Sequence, residues 1–192
     1  MFSLLDPLKG TSIDVGFSIS ATSQDASTTI KLIRDSIAYF IDSYGTTNIR
    51  YCIMTFGERP TILAPFAEKQ SPEDLKKMIE SATLSAGKPN LVNLFPEVKS
   101  LFEKAGARPF AKKFLVVFVD NKSPNERVDL IEASKSLIEQ ELWIVPVAIG
   151  EKSNEEELQL ITTLKNTTVK VPSTGDPKKT AEEIADKMKE RE

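Results

Sequence analysis

The run Lys113 to Asp120, KFLVVFVD, constrains the fold of this chain more than any other stretch. A strand with one face in water alternates apolar and polar residues, but this one is apolar at every position from Phe114 to Val119. Both of its faces need cover, which is the condition of a central strand in a parallel sheet with helices on either side. Parallel strands are joined by helical crossovers, so the rest of the chain should alternate strand and helix.

It does. Ile13 to Ile19 (IDVGFSI), Asn48 to Phe56 (NIRYCIMTF), Trp143 to Ile149 (WIVPVAI) and Thr168 to Val171 predict strands from their β-branched and aromatic content. Thr61 to Ala64 predicts a short strand, close enough behind Phe56 to return as a hairpin and form an antiparallel edge. Pro146 inside WIVPVAI predicts a bulge or a place near the edge. Ile30, Ile33, Ile37, Phe40 and Ile41 recur at helical spacing between roughly Asp25 and Ser43, with a stop at Tyr44-Gly45.

Ser71-Pro72-Glu73-Asp74 opens a helix with Leu75, Met78 and Ile79 on one side. Val92, Phe95, Val98, Leu101 and Phe102 mark the next, ended at Gly106, and Val128, Ile131, Leu137 and Ile138 mark one after the central strand. Asn154 with Glu157 resembles a capping box. Asp176-Pro177 opens a last helix with Ala181, Ile184, Ala185 and Met188 inward. The predicted fold class is α/β: a doubly wound, mostly parallel sheet with one antiparallel edge strand and helices on both faces. Residues 1–11 read as an N-terminal extension and 12–192 as one domain.

Composition removes whole classes of function. The chain contains no histidine, which excludes the Ser-His-Asp arrangement and every His-ligated metal centre. Neither GxGxxG nor GxxxxGK[ST] occurs, so the phosphate-gripping loops of doubly wound enzymes are missing. The expectation is that the protein is not an enzyme. A net charge of −3 argues against a nucleic-acid partner, which selects a basic stripe. No apolar run is long enough to span a membrane, and the start, MFSLLDPLKG, has no basic leader region. The lone Cys52 reads as a buried, inert thiol, and Arg108, Lys112 and Lys113 as a solvated basic edge.

What remains lies at the strand ends, where open α/β sheets bind ligands. The first strand runs into Ser20-Ala21-Thr22-Ser23-Gln24, a run of small polar residues, with Asp25 behind it as a helix cap. The central strand ends at Asp120-Asn121, and Gly87-Lys88-Pro89-Asn90 is a loop leading into a helix. Asn121-Lys122-Ser123 and Asn166-Thr167-Thr168 match the glycosylation sequon, and a glycan on Asn121 would obstruct this edge.

In order, IDVGFSISATSQ, NIRYCIMTFG, SAGKPN before a helix, KKFLVVFVDNKS and LWIVPVAIGEKSNEEEL resemble a von Willebrand factor type A domain over roughly residues 12–190. The resemblance implies a Rossmann-like fold that binds protein partners without catalysis. It also implies a metal-ion-dependent adhesion site built from a D-x-S-x-S loop, a loop Thr and a strand-end Asp. Ser20 stands where that loop has Asp, Thr22 and Gln24 where it has Ser, and Pro89 falls near the Thr, while Asp120 keeps the strand-end Asp. The metal positions are thus Ser20, Thr22 and Asp120, and the partner-binding face adds Gln24, Pro89, Asn90 and Asn121.

A hard divalent cation such as Mg²⁺ wants about six oxygens with carboxylates among them, and only Asp120 is a carboxylate. The site reads as degenerate, with no cofactor expected and Mg²⁺ or Ca²⁺ held weakly at most. ISATSQ and ARPFAKK resemble A domains of extracellular-matrix and skeletal-matrix proteins of marine invertebrates. That likeness implies a secreted adhesion or matrix domain whose ligand is collagen or another matrix protein. The alternative is an intracellular A-type scaffold domain in a multiprotein complex.

Overall fold

The computed structural model describes residues 7–22, 26–83, 85, 87–104, 106–162 and 167–191. Five strands run parallel: β1 (Ile13–Ile19), β2 (Ile49–Phe56), β4 (Lys112–Val119), β5 (Leu142–Ile149) and β6 (Val169–Val171). β3 (Pro60–Ala64) returns antiparallel along β2, and the sheet order is β3-β2-β1-β4-β5-β6. The helices are α1 (Pro7–Gly10), α2 (Ala26–Tyr44), α3 (Pro72–Glu80), α4 (Leu91–Glu103), α5 (Arg127–Glu139), α6 (Glu155–Leu160) and α7 (Pro177–Lys189).

Two cores sandwich the sheet. Ile13, Val15, Phe17 and Ile19 of β1 point to one face, where α2, α3 and α7 cover them with Ile33, Phe40, Leu75 and Ile184. The opposite face is packed by α4, α5 and α6 through Leu94, Phe102, Leu130 and Leu158. β4 lies between β1 and β5, sending Phe114, Val116 and Phe118 into the first core and Leu115, Val117 and Val119 into the second. This is why its run of apolar residues is unbroken.

Pro146 stays in register opposite Val117, and β6 pairs only with Val147–Ile149, so the proline lies where β5 is itself the sheet's edge. The irregular register falls instead between Ile53 and Met54, where β2 meets β3. Beyond the end of β3, the Gln70 amide completes the edge: Tyr51 N–H donates to its Oε1 (2.9 Å), and its Nε2 donates to the Tyr51 carbonyl (2.7 Å). Cys52 is fully buried, and burial pushes its thiol up to about 12, an inert state.

Two helical faces differ from the sequence expectation. Met78 is 40% exposed, and α3 buries only Leu75 and Ile79. In α5, Leu137 is buried as expected, but Val128 and Ile131 are 70% and 45% exposed, and Leu130 and Ser134 complete the packed stripe. Both stripes of α5 satisfy helical spacing, so periodicity alone could not choose between them; contact with α4 and β5 chooses.

The basic edge is also corrected at Arg108. Its guanidinium closes on Asp14, whose side chain is 0% exposed: Nε donates to Oδ1 at 3.0 Å and Nη2 to the same oxygen at 2.9 Å. The Arg108 backbone N–H donates to Asp14 Oδ2 at 2.6 Å, and Nη2 also donates to the Ile13 and Asn48 carbonyls. A charge on β1 can be buried because this clamp satisfies it. It ties the N-terminal ends of β1 and β2 to the loop after α4, at the end of the sheet opposite the candidate site.

Candidate functional site at the C-terminal ends of the strands

The site is assembled by the register of β1 on β4. Ile19 pairs with Phe118, and Ser20 N–H continues the ladder by donating to the Phe118 carbonyl at 2.9 Å. One residue past β4, Asp120 then faces the loop that leaves β1. Thr22 donates to Asp120 Oδ1 twice, through its N–H at 2.9 Å and its hydroxyl at 3.4 Å. Asp120 is 2% exposed and Ser20 0%, and the Ser20 hydroxyl has no hydrogen-bond partner. Ser20, Thr22 and Asp120 thus lie at the same end of the sheet, with Thr22 bonded to Asp120.

The other expected face residues take different parts. Asn90 is the N-cap of α4, with Oδ1 accepting from Asn93 N–H at 3.0 Å and from Asn125 Nδ2 at 3.0 Å. Its own N–H donates to the Gly57 carbonyl at 2.8 Å, so it brackets the β2–β3 turn and the β4–α5 loop together. Pro89 beside it is buried. Asn121 turns back on its own loop, accepting from Lys122 N–H at 2.9 Å. Gln24, Asp25 and Asn166, the first residue of the second sequon, lie outside the described residues.

Sequence reasoning missed the group that holds the β4–α5 loop. Ser123 Oγ donates to Asn125 Oδ1 at 2.7 Å, and that oxygen also accepts from Val92 N–H at 3.3 Å. The capping box of α6 is only half made: Asn154 Oδ1 accepts from Glu157 N–H at 3.3 Å. The Glu157 carboxylate does not return to Asn154 but crosses to accept from Ser123 N–H at 3.0 Å. The S/T/N-x-x-E pattern was visible, but not that burial at 7% exposure would draw the acid to another loop.

Burial raises the Glu157 carboxyl above its ordinary range, with the Ser123 N–H and Lys122 opposing. A group whose folded-state value is raised binds its proton more tightly in the folded state. Its contribution is present below the unfolded value and is lost as pH rises through the folded one. Glu157→Gln keeps an acceptor for Ser123 and removes the charge. Urea midpoints of parent and variant should therefore diverge above about pH 4, the parent losing stability relative to the variant as pH rises. Parallel pH profiles would show that Glu157 titrates as an ordinary surface acid.

A doubly wound sheet with its polar loops gathered at the C-terminal strand ends defines a Rossmann-like α/β binding domain. The von Willebrand factor type A domain profile matches residues 14–186, and the chain belongs to that family. Its members are typically protein-interaction modules and can hold a metal at a metal-ion-dependent adhesion motif.

Among similar solved structures is proximal thread matrix protein 1 from the mussel byssus, with a TM-score of 0.82 and 18% identity over 93% of this chain and 48% of that one. A second structure of the mussel protein has a zinc-occupied metal-ion-dependent adhesion motif. A von Willebrand factor type A protein from Catenulispora acidiphila aligns with a TM-score of 0.73 and 18% identity over 92% of this chain and 42% of its own. The SpRpn10 VWA domain aligns with a TM-score of 0.64 and 13% identity over 90% of this chain and 93% of its own. This chain spans about half the length of the mussel protein. At such identities the likeness shows the shared fold.

Proposed function

We propose that this chain is a non-catalytic adhesion or extracellular-matrix domain that meets a protein ligand, collagen or another matrix protein, through its top face without a resident metal. The observation that carries this reading is the pair of hydrogen bonds from Thr22 to Asp120 Oδ1. They engage the site's carboxylate with protein donors where a cation would otherwise sit.

The donor set supports the same reading. A Mg²⁺ ion keeps about six oxygen ligands at close range, with carboxylates supplying most of the attraction. The buried Ser20 hydroxyl is one spare oxygen, Thr22 Oγ1 is turned to Asp120, and Pro89 contributes none. Among the described residues no three of His, Cys, Asp and Glu come together to hold a metal. Among the described residues the donors do not fit a tightly held divalent ion.

Ligand binding raises stability by RT ln(1 + [L]/Kd), so a metal with a Kd far above its concentration leaves the melting temperature where it was. Calorimetry of the protein with and without millimolar Mg²⁺, Mn²⁺ or Zn²⁺ should give coincident melts. A rise of several degrees, reversed by EDTA, would overturn the metal-free reading.

A further inference from the structure

The segment from Lys104 to Lys113, KAGARPFAKK, runs from the end of α4 into β4 at the end of the sheet opposite Thr22 and Asp120. It carries Lys104, Arg108, Lys112 and Lys113 and no carboxylate, in a chain whose net charge is −3. Phe110 within it is 99% exposed, more than any other large apolar side chain among the described residues.

The backbone holds that ring out. Ala111 N–H donates to the Arg108 carbonyl at 3.2 Å, closing a turn with Pro109 and Phe110 at its tip. Pro109 fixes its own φ, and the clamp of Arg108 on Asp14 anchors the base. Arg50 Nη1 donates to the Gly106 carbonyl at 3.0 Å, and a Cβ on Gly106 would meet the Phe66 carbonyl oxygen at 2.0 Å. An aromatic ring braced in water forgoes its burial, and a partner surface would restore it.

The charge around the turn says what kind of surface. Arg108 spends its donors on Asp14 and two carbonyls. Arg50, Lys104, Lys112 and Lys113 make no ion pair among the described residues. Lys112 and Lys113 are successive strand residues whose side chains leave on opposite faces, so cations flank the turn on both sides. The acids here are Glu103, which accepts from Gln140 Nε2 at 2.6 Å, and Glu141 just before β5.

We infer that this turn is a contact for an anionic lipid surface. Phe110 enters the boundary between headgroups and acyl chains, while Lys104, Lys112 and Lys113 stay at the level of the phosphates on their long stems. A tip of one ring and point charges offers no directional recognition, because the Arg108 fork is spent inside the protein. Non-directional attraction suits a fluid layer of anionic headgroups better than a protein pocket. The contact goes beyond the top-face reading and leaves that face open to its ligand.

The test is sedimentation of the full chain with vesicles of phosphatidylcholine containing about 30% phosphatidylserine, against phosphatidylcholine alone. Binding to the first should exceed binding to the second about tenfold at low ionic strength and fall as salt is added. Phe110→Ser should weaken it about tenfold with an unchanged melting temperature, since the ring touches solvent. Lys112→Gln with Lys113→Gln should weaken it about tenfold as well. In Phe110→Trp, tryptophan emission should move to shorter wavelength with the phosphatidylserine vesicles and stay put with phosphatidylcholine.

No binding to the anionic vesicles, equal binding to both compositions, or full binding by Phe110→Ser would each overturn the inference. Poly-glutamate titrated into the ¹⁵N-labelled chain tests for an acidic protein instead. Saturable shifts at Phe110 and Lys112 without vesicle binding would make the turn a protein contact and overturn the lipid assignment.

Discussion

Replacing Asp14 by alanine should destabilise the protein by about 3–5 kcal/mol, the cost of removing one partner from a buried ion pair. The Asp14 side chain is completely buried, and the Arg108 side chain retains 22% exposure. In Asp14→Ala the stranded group is a guanidinium that can regain some water, although two of its bonds, to the Ile13 and Asn48 carbonyls, argue for staying. In Arg108→Ala the stranded group is a carboxylate with no exposure and only the Arg108 backbone N–H left as donor. The arginine variant should therefore sit at the upper end of that range. The double variant should lose less than the sum of the two singles, because no unpaired charge remains. Urea unfolding of all four proteins measures the coupling. Strict additivity would mean that Asp14 and Arg108 do not depend on each other, contrary to the geometry.

Phe118→Ala should cost about 3–5 kcal/mol, the range for emptying a large aromatic site in a core. Phe118 is 0% exposed on the central strand, and its ring lies 6.2 Å from that of Phe17. Phe17 in turn stacks on Tyr51 at 6.0 Å and meets Phe40 edge-on at 5.6 Å. The cavity would open beneath α2 at the middle of an aromatic cluster whose members are fixed by three strands and a helix. Neighbours so constrained cannot collapse into the space, which keeps the cost high. The Phe118 carbonyl, which accepts from Ser20, belongs to the backbone and is untouched by the substitution. Guanidinium melts should show a lower midpoint with an unchanged slope. A loss under about 1 kcal/mol would contradict the central placement of β4.

The sequence by itself determined the order of elements, because its signals are local. An unbroken apolar run marks β4 as covered on both faces, the close return after Phe56 marks an antiparallel edge, and Ser71, Asn154 and Asp176 announce helix starts. The meeting of Thr22 with Asp120 was also legible, since a doubly wound topology brings the ends of β1 and β4 side by side.

What only the tertiary structure decided were the facts that depend on which distant surface lies opposite a residue. Arg108 lies far along the chain from Asp14, and nothing local in either distinguishes a buried clamp from a solvated edge. Glu157 has the spacing of a capping-box acid, yet it bonds Ser123 on another loop because packing buries it there. In the α5 helix Leu137 packs as its spacing predicts, and contact with the neighbouring elements selects Leu130 beside it over Val128 and Ile131. Periodicity and capping are written within a few residues of chain, whereas burial and charge pairing are properties of pairs that the chain separates and the fold brings together.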